Sequence, residues 1–126
     1  MSWLRALGEL LSGRFGRARP GRDPEQLAAR ALATLEHALA ESDAESRLQG
    51  LRDALAMAER VDDPRGDQLV LEASLHLGER LRAAGQRDQA VLHFEQAMLR
   101  SFRVADPLGR HKQSWSFLEL VEEMAP

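Results

Sequence analysis

Apolar residues recur along this chain at steps of three and four. Leu27, Ala31, Leu35 and Leu39 form one stripe, and after a polar break Leu48, Leu51, Leu55 and Ala58 form a second. Leu69, Ala73, Leu77 and Leu81 make a third, Ala90, Phe94, Ala97 and Met98 a fourth, and Phe117, Leu118, Leu120, Val121 and Met124 a fifth. A helical period brings such residues onto one face, whereas a half-buried strand would alternate at every second position, and no segment does. The pattern predicts an all-α chain with helices over about 24–41, 44–61, 64–84, 88–104 and 107–124.

Three Asp-Pro pairs, Asp23-Pro24, Asp63-Pro64 and Asp106-Pro107, stand just before predicted helices. An aspartate accepts hydrogen bonds from the orphan amides of a first helical turn, and proline suits the first helical position, where no donor is needed. Ser42 and Glu45 have the spacing of a capping box for the second helix, and Gly85 is the expected left-handed cap of the third. The Asp-Pro pairs lie 40 and 43 residues apart, and a shift of 42 lays Leu27, Ala31, Leu35 and Leu39 onto Leu69, Ala73, Leu77 and Leu81. Two helical hairpins built to one plan follow, with half of a third. Between the large residues Leu77, Leu81 and Phe94 stand the small ones Gly78, Ala90 and Ala97, which predict points where helix axes cross closely.

These residues carry a resemblance. Leu77-Gly78, Leu81, Gly85, Ala90, Phe94 and Ala97 resemble the signature of the tetratricopeptide repeat, in register over one repeat. Ser74 stands where that family favours tryptophan, and no proline closes the second helix, so the repeat resembles the longer subclass of about 40 residues. The resemblance implies a right-handed solenoid of about two and a half repeats. It implies a concave groove, lined by the first helix of each pair, that holds a peptide or helix of another protein. By register the lining is Arg30, Thr34 and His37 in the first repeat, and Glu72, Leu75, His76, Glu79 and Arg82 in the second. The last helix adds Trp115, Leu118, Glu119 and Glu122, with Trp115 the expected anchor, and the mixture of carboxylates with an aromatic suits a basic or amphipathic partner.

Charge divides the chain in two. Residues 1–22 hold five arginines against Glu9, a net charge of +4, while the remainder holds twelve basic and nineteen acidic residues, a net charge of −7. A basic arm over 1–22 is thus joined to an acidic domain over 23–126. Drawn as a helix, the arm puts Trp3, Leu4, Leu7, Leu10 and Leu11 on one face, followed by Arg14, Arg17 and further arginines on a leash. Three roles fit it: an intramolecular cap, docking into an acidic groove of its own or another copy, and insertion at an anionic membrane surface. The acidic body argues against nucleic acid.

No apolar run reaches the length of a membrane span, no secretory signal is written at the start, and cysteine is absent. A cytoplasmic protein is expected, and the near-exclusive use of arginine over lysine suggests a bacterial one. Glu72 and His76 lie one turn apart, but His37, His93 and His111 belong to other helices, so no metal is expected. No nucleophile–base order or phosphate-binding loop stands out, so neither enzyme activity nor a cofactor is expected. The reading is a non-catalytic interaction module, an adaptor or chaperone-like holder of a partner segment. Its alternative is a membrane-surface recruitment factor that works through the arm.

Overall fold

A computed structural model describes residues 24–106 and 108–124, all helices and connections. The arm, with Trp3, Leu4, Leu7, Leu10, Leu11, Arg14 and Arg17, lies outside the described residues, as do Asp23 and Pro107. The helices are α1 (Pro24–Ala40), α2 (Ala44–Glu59), α3 (Pro64–Ala83), α4 (Arg87–Ser101) and α5 (Arg110–Glu122). The all-α class follows from the 3.6-residue stripes, which face neighbouring helices except at Leu120, expected in the fifth stripe but exposed.

The first connection is short because both of its helix ends are satisfied locally. Asp43, rather than Ser42, caps α2, its carboxylate accepting the Ser46 amide at 2.9 Å. The Arg47 guanidinium donates back to the Leu39 carbonyl at 3.2 Å and the Glu41 carbonyl at 3.0 Å, covering acceptors that the end of α1 leaves open. The expected Ser42–Glu45 box is therefore corrected by one position.

Asp63 caps α3 as its Asp-Pro pair predicts, accepting the Arg65 amide at 2.8 Å with Pro64 in the first turn. At the other end Gly85 adopts φ 78°. The Gln86 amide reaches the Leu81 carbonyl at 2.9 Å and the Gly85 amide the Arg82 carbonyl at 3.0 Å, the double bond of a Schellman cap.

Two expectations fail at the last connection. α4 ends at Ser101 instead of running on toward Asp106. There the Ser101 hydroxyl donates to the Met98 carbonyl at 2.6 Å and meets His111 Nδ1 at 2.8 Å, tying the end of α4 to the start of α5. α5 starts at Arg110, three residues later than predicted. Asp106 does cap it, its carboxylate accepting the amides of Arg110 at 2.6 Å and His111 at 3.1 Å, but from a left-handed backbone at φ 57° with Gly109 at φ 68° before the helix.

Each helix packs on its neighbours in sequence, and α1 also touches α3, as α3 touches α5. Residue pairs fix the directions. Gly50 early in α2 lies against Ala38 late in α1. Arg100 at the end of α4 binds Asp67 at the start of α3 at 2.7 Å, and Arg87 at the start of α4 donates to the Val121 carbonyl near the end of α5 at 3.2 Å. Leu39 at the end of α1 and Leu51 in the first half of α2 meet Arg82 at the end of α3 around one recess, so neighbours are antiparallel and α1, α3 and α5 run the same way.

α3 serves two cores. Leu69, Val70, Ala73 and Leu77 pack with α1 and α2, while Leu71, Leu75 and Leu81 pack with Ala90, Phe94, Ala97, Leu118 and Val121. A helix covered on several sides loses a clean polar stripe, which is why Glu72 and Ser74 are buried within it.

At the crossing of α3 and α4, a Cβ added at Gly78 would stand 2.5 Å from the Phe94 ring. That ring is also stacked on Phe117 at 5.1 Å between centroids. The small-and-large pattern between Gly78 and Ala97 therefore marks a real helix contact.

Candidate functional site

An ion pair joins α5 to α3. Arg110 grips Glu72 with two bonds, Nε to Oε2 at 2.6 Å and Nη2 to Oε1 at 2.9 Å, and its Nη1 donates to Gln113 Oε1 at 2.6 Å. Glu72 has no exposed surface, and burial pushes its carboxyl above the usual value even though the Arg110 guanidinium pulls the other way. Next to it, burial first and then the charges of Arg110 and Arg47 draw His76 down to about 4, so its imidazole is neutral at pH 7.

The twelve residues expected to line one groove are distributed differently. Glu72 and Leu75 are buried beneath α5, and so are not groove surface. On α1, Arg30 and His37 are exposed, and the Thr34 hydroxyl donates to the Arg30 carbonyl at 2.8 Å and lies 3.3 Å from the Met57 sulfur of α2. His76, Glu79 and Arg82 line a recess of about 200 Å³ together with Leu39, Arg47 and Leu51. Trp115, Leu118, Glu119 and Glu122 line a separate cleft.

That cleft, of about 510 Å³, lies between α4 and α5. Its α4 wall is Val91, Glu95, Met98 and Leu99, residues the family register had not assigned to any site. The signal was present in the sequence: Val91, Met98 and Leu99 stand at i, i+7 and i+8, a second apolar stripe beside the core stripe of Ala90, Phe94 and Ala97.

The cleft has an apolar floor and an acidic rim. Trp115 is 51% and Leu99 67% exposed, although each is a side chain that water disfavours. The charged residues in the lining, Glu95, Glu119 and Glu122, all carry one sign. Such a surface offers apolar contact along a groove and attraction to cations at its edges. It holds no nucleophile beside a base. Outside the cleft, the buried Ser101 meets the half-buried His111, a contact that latches α4 to α5.

No family model, no curated protein and no solved structure matches this chain.

Proposed function

We propose that this protein is a tetratricopeptide-like interaction module whose α4–α5 cleft holds an amphipathic, cationic helix. The cleft carries the reading: Val91, Met98, Leu99, Trp115 and Leu118 form a continuous apolar strip rimmed by Glu95, Glu119 and Glu122. Helix-in-groove recognition needs those two features, apolar anchors at helical spacing and a rim of opposite charge. The Gly78–Phe94 crossing and the contacts of α1 with α3 and of α3 with α5 support the repeat-like architecture.

The test is a titration of the isotope-labelled full chain with a short leucine–lysine amphipathic peptide and with its leucine–glutamate counterpart. The lysine peptide should shift the amides of residues 91–99 and 115–122, and the glutamate peptide should leave them in place. Shifts confined to the recess around His76 and Arg82, or none at all, would refute the assignment.

A further inference from the structure

The cleft has the length and chemistry of one segment of this same chain. We propose that residues 3–12 occupy the α4–α5 cleft of their own molecule, as a built-in competitor for the partner helix. This rests on the reading of the cleft as a helix-binding surface, and it names the occupant.

Four observations converge. The first is length: Val91 to Leu99 spans eight helical steps, about 12 Å, and residues 3–12 as a helix measure about 15 Å. The second is pattern, because Trp3, Leu4, Leu7, Leu10 and Leu11 would share one apolar face, matching the apolar residues that line the cleft. The third is charge: residues 3–12 are themselves neutral, Arg5 against Glu9, but Arg14, Arg17, Arg19 and Arg22 follow on the leash that leads to the cleft, and the charged groups lining the cleft are three carboxylates.

The fourth is reach. α1, α3 and α5 run parallel and touch in that order, so the start of α1 lies on the same edge of the molecule as the start of α5. Two helix spacings, roughly 16–20 Å, separate those starts. Residues 13–23 can extend to about 36 Å, enough to cross that distance and turn into the cleft.

The same geometry fixes a direction. Ser101 and His111 mark the edge where α4 ends and α5 begins, and Arg87 and Val121 mark the opposite edge. The arm therefore enters beside Leu99 and Trp115 and runs back toward Val91 and Glu122, antiparallel to α5, with Arg5 on its outer side near the acidic rim.

Tethering favours the chain's own arm over a second copy. A short leash holds its segment at an effective concentration of about millimolar, above that of free copies at ordinary working concentrations.

Because the sequence has no cysteine, one engineered pair reports on docking without background. Leu11→Cys with Leu99→Cys is compared, at low protein concentration under mild oxidation, with Leu11→Cys with Ala56→Cys, whose second site is exposed on α2. The expected result is a monomeric disulfide in the first variant, formed at least about tenfold faster than in the second. Equal rates overturn the proposal. A disulfide-linked dimer overturns it in favour of a second copy.

Because Leu11 and Leu99 are themselves anchors, a second full-length variant, Leu4→Asp with Leu7→Asp, is titrated with the leucine–lysine peptide. Removing the competitor should tighten peptide binding about tenfold, and unchanged affinity speaks against occupancy by the arm. The two readings also fail differently. Peptide binding without the monomeric disulfide removes the occupant and keeps the cleft. The monomeric disulfide without peptide binding by the Leu4→Asp, Leu7→Asp variant keeps the occupant and removes the partner-holding role.

Discussion

At the residue scale the most constrained position is Gly78. Alanine there gains helix propensity, about 1 kcal/mol. Its Cβ, however, would lie 2.5 Å from a Phe94 ring that is already stacked on Phe117. Overpacking of this kind costs about 1–3 kcal/mol, so Gly78→Ala should lower stability by about 1 kcal/mol net, read as a lower urea midpoint. A midpoint at or above that of the wild type would show that the ring has room. His76 carries a different expectation. Its folded value of about 4 lies below the ordinary 6.5, so the unfolded chain takes up the proton more readily. The stability it contributes is complete above pH 6.5 and is lost as pH falls toward 4. Glu72 works in the opposite sense, since its raised carboxyl favours the folded state on protonation, and His93, also lowered by burial, adds to the loss. His76→Gln should therefore flatten the fall in unfolding free energy between pH 6.5 and 4 while leaving the His93 part. An unchanged slope would mean that His76 stays wet.

At the element scale α5 is held by apolar contacts, by polar contacts to Arg87 and Ser101 of α4, and by a buried ion pair to α3. Arg110→Ala leaves the Glu72 carboxylate buried and without its guanidinium, a loss of about 3–5 kcal/mol. Amides of α5 should then exchange faster than those of α1 and α2. The double change Glu72→Leu with Arg110→Met should recover most of the loss, because the raised Glu72 carboxyl already signals that pairing does not fully offset burial. Equal exchange across the helices in Arg110→Ala would place the hold on α5 in its apolar contacts instead. This ion pair was not legible in the sequence, and the reason is physical. Helical spacing tells which residues share a face of α3, but not that α5 covers Glu72 and Leu75, which are therefore core and not groove. The α3–α4 pair was legible, because Asp63, Gly78, Gly85 and Phe94 each have a local steric or hydrogen-bonding role that their neighbours in sequence reveal. The start of α5 was misread because Asp106 caps from a left-handed backbone several residues upstream, so Asp-Pro does not mark the first turn there. Gly50, against Ala38, was missed because one small residue in a polar context gives no pattern.

At the scale of the whole molecule the groove expected from the register is replaced by two separate surfaces, and they can be tested against each other. Glu79 belongs to the recess beside α1 and α2, while Leu99 and Trp115 belong to the cleft between α4 and α5. Leu99 and Trp115 are exposed and Glu79 is partly so, so changes at any of them should move folding stability by no more than about 0.5 kcal/mol. Their effects on capture should differ. In the Leu4→Asp, Leu7→Asp background, where the arm does not compete, Trp115→Ala removes the largest apolar anchor in the cleft and should cost about 2 kcal/mol of affinity for the leucine–lysine peptide, roughly thirtyfold. Leu99→Asp should act in the same direction, since it sets a carboxylate against the peptide's leucines. Glu79→Arg should leave affinity where it was, apart from a small long-range repulsion that added salt removes. Calorimetry on the three variants decides between the surfaces: a loss confined to Glu79→Arg would move the binding seat to the recess. A loss confined to Trp115→Ala and Leu99→Asp would fix it in the cleft between α4 and α5.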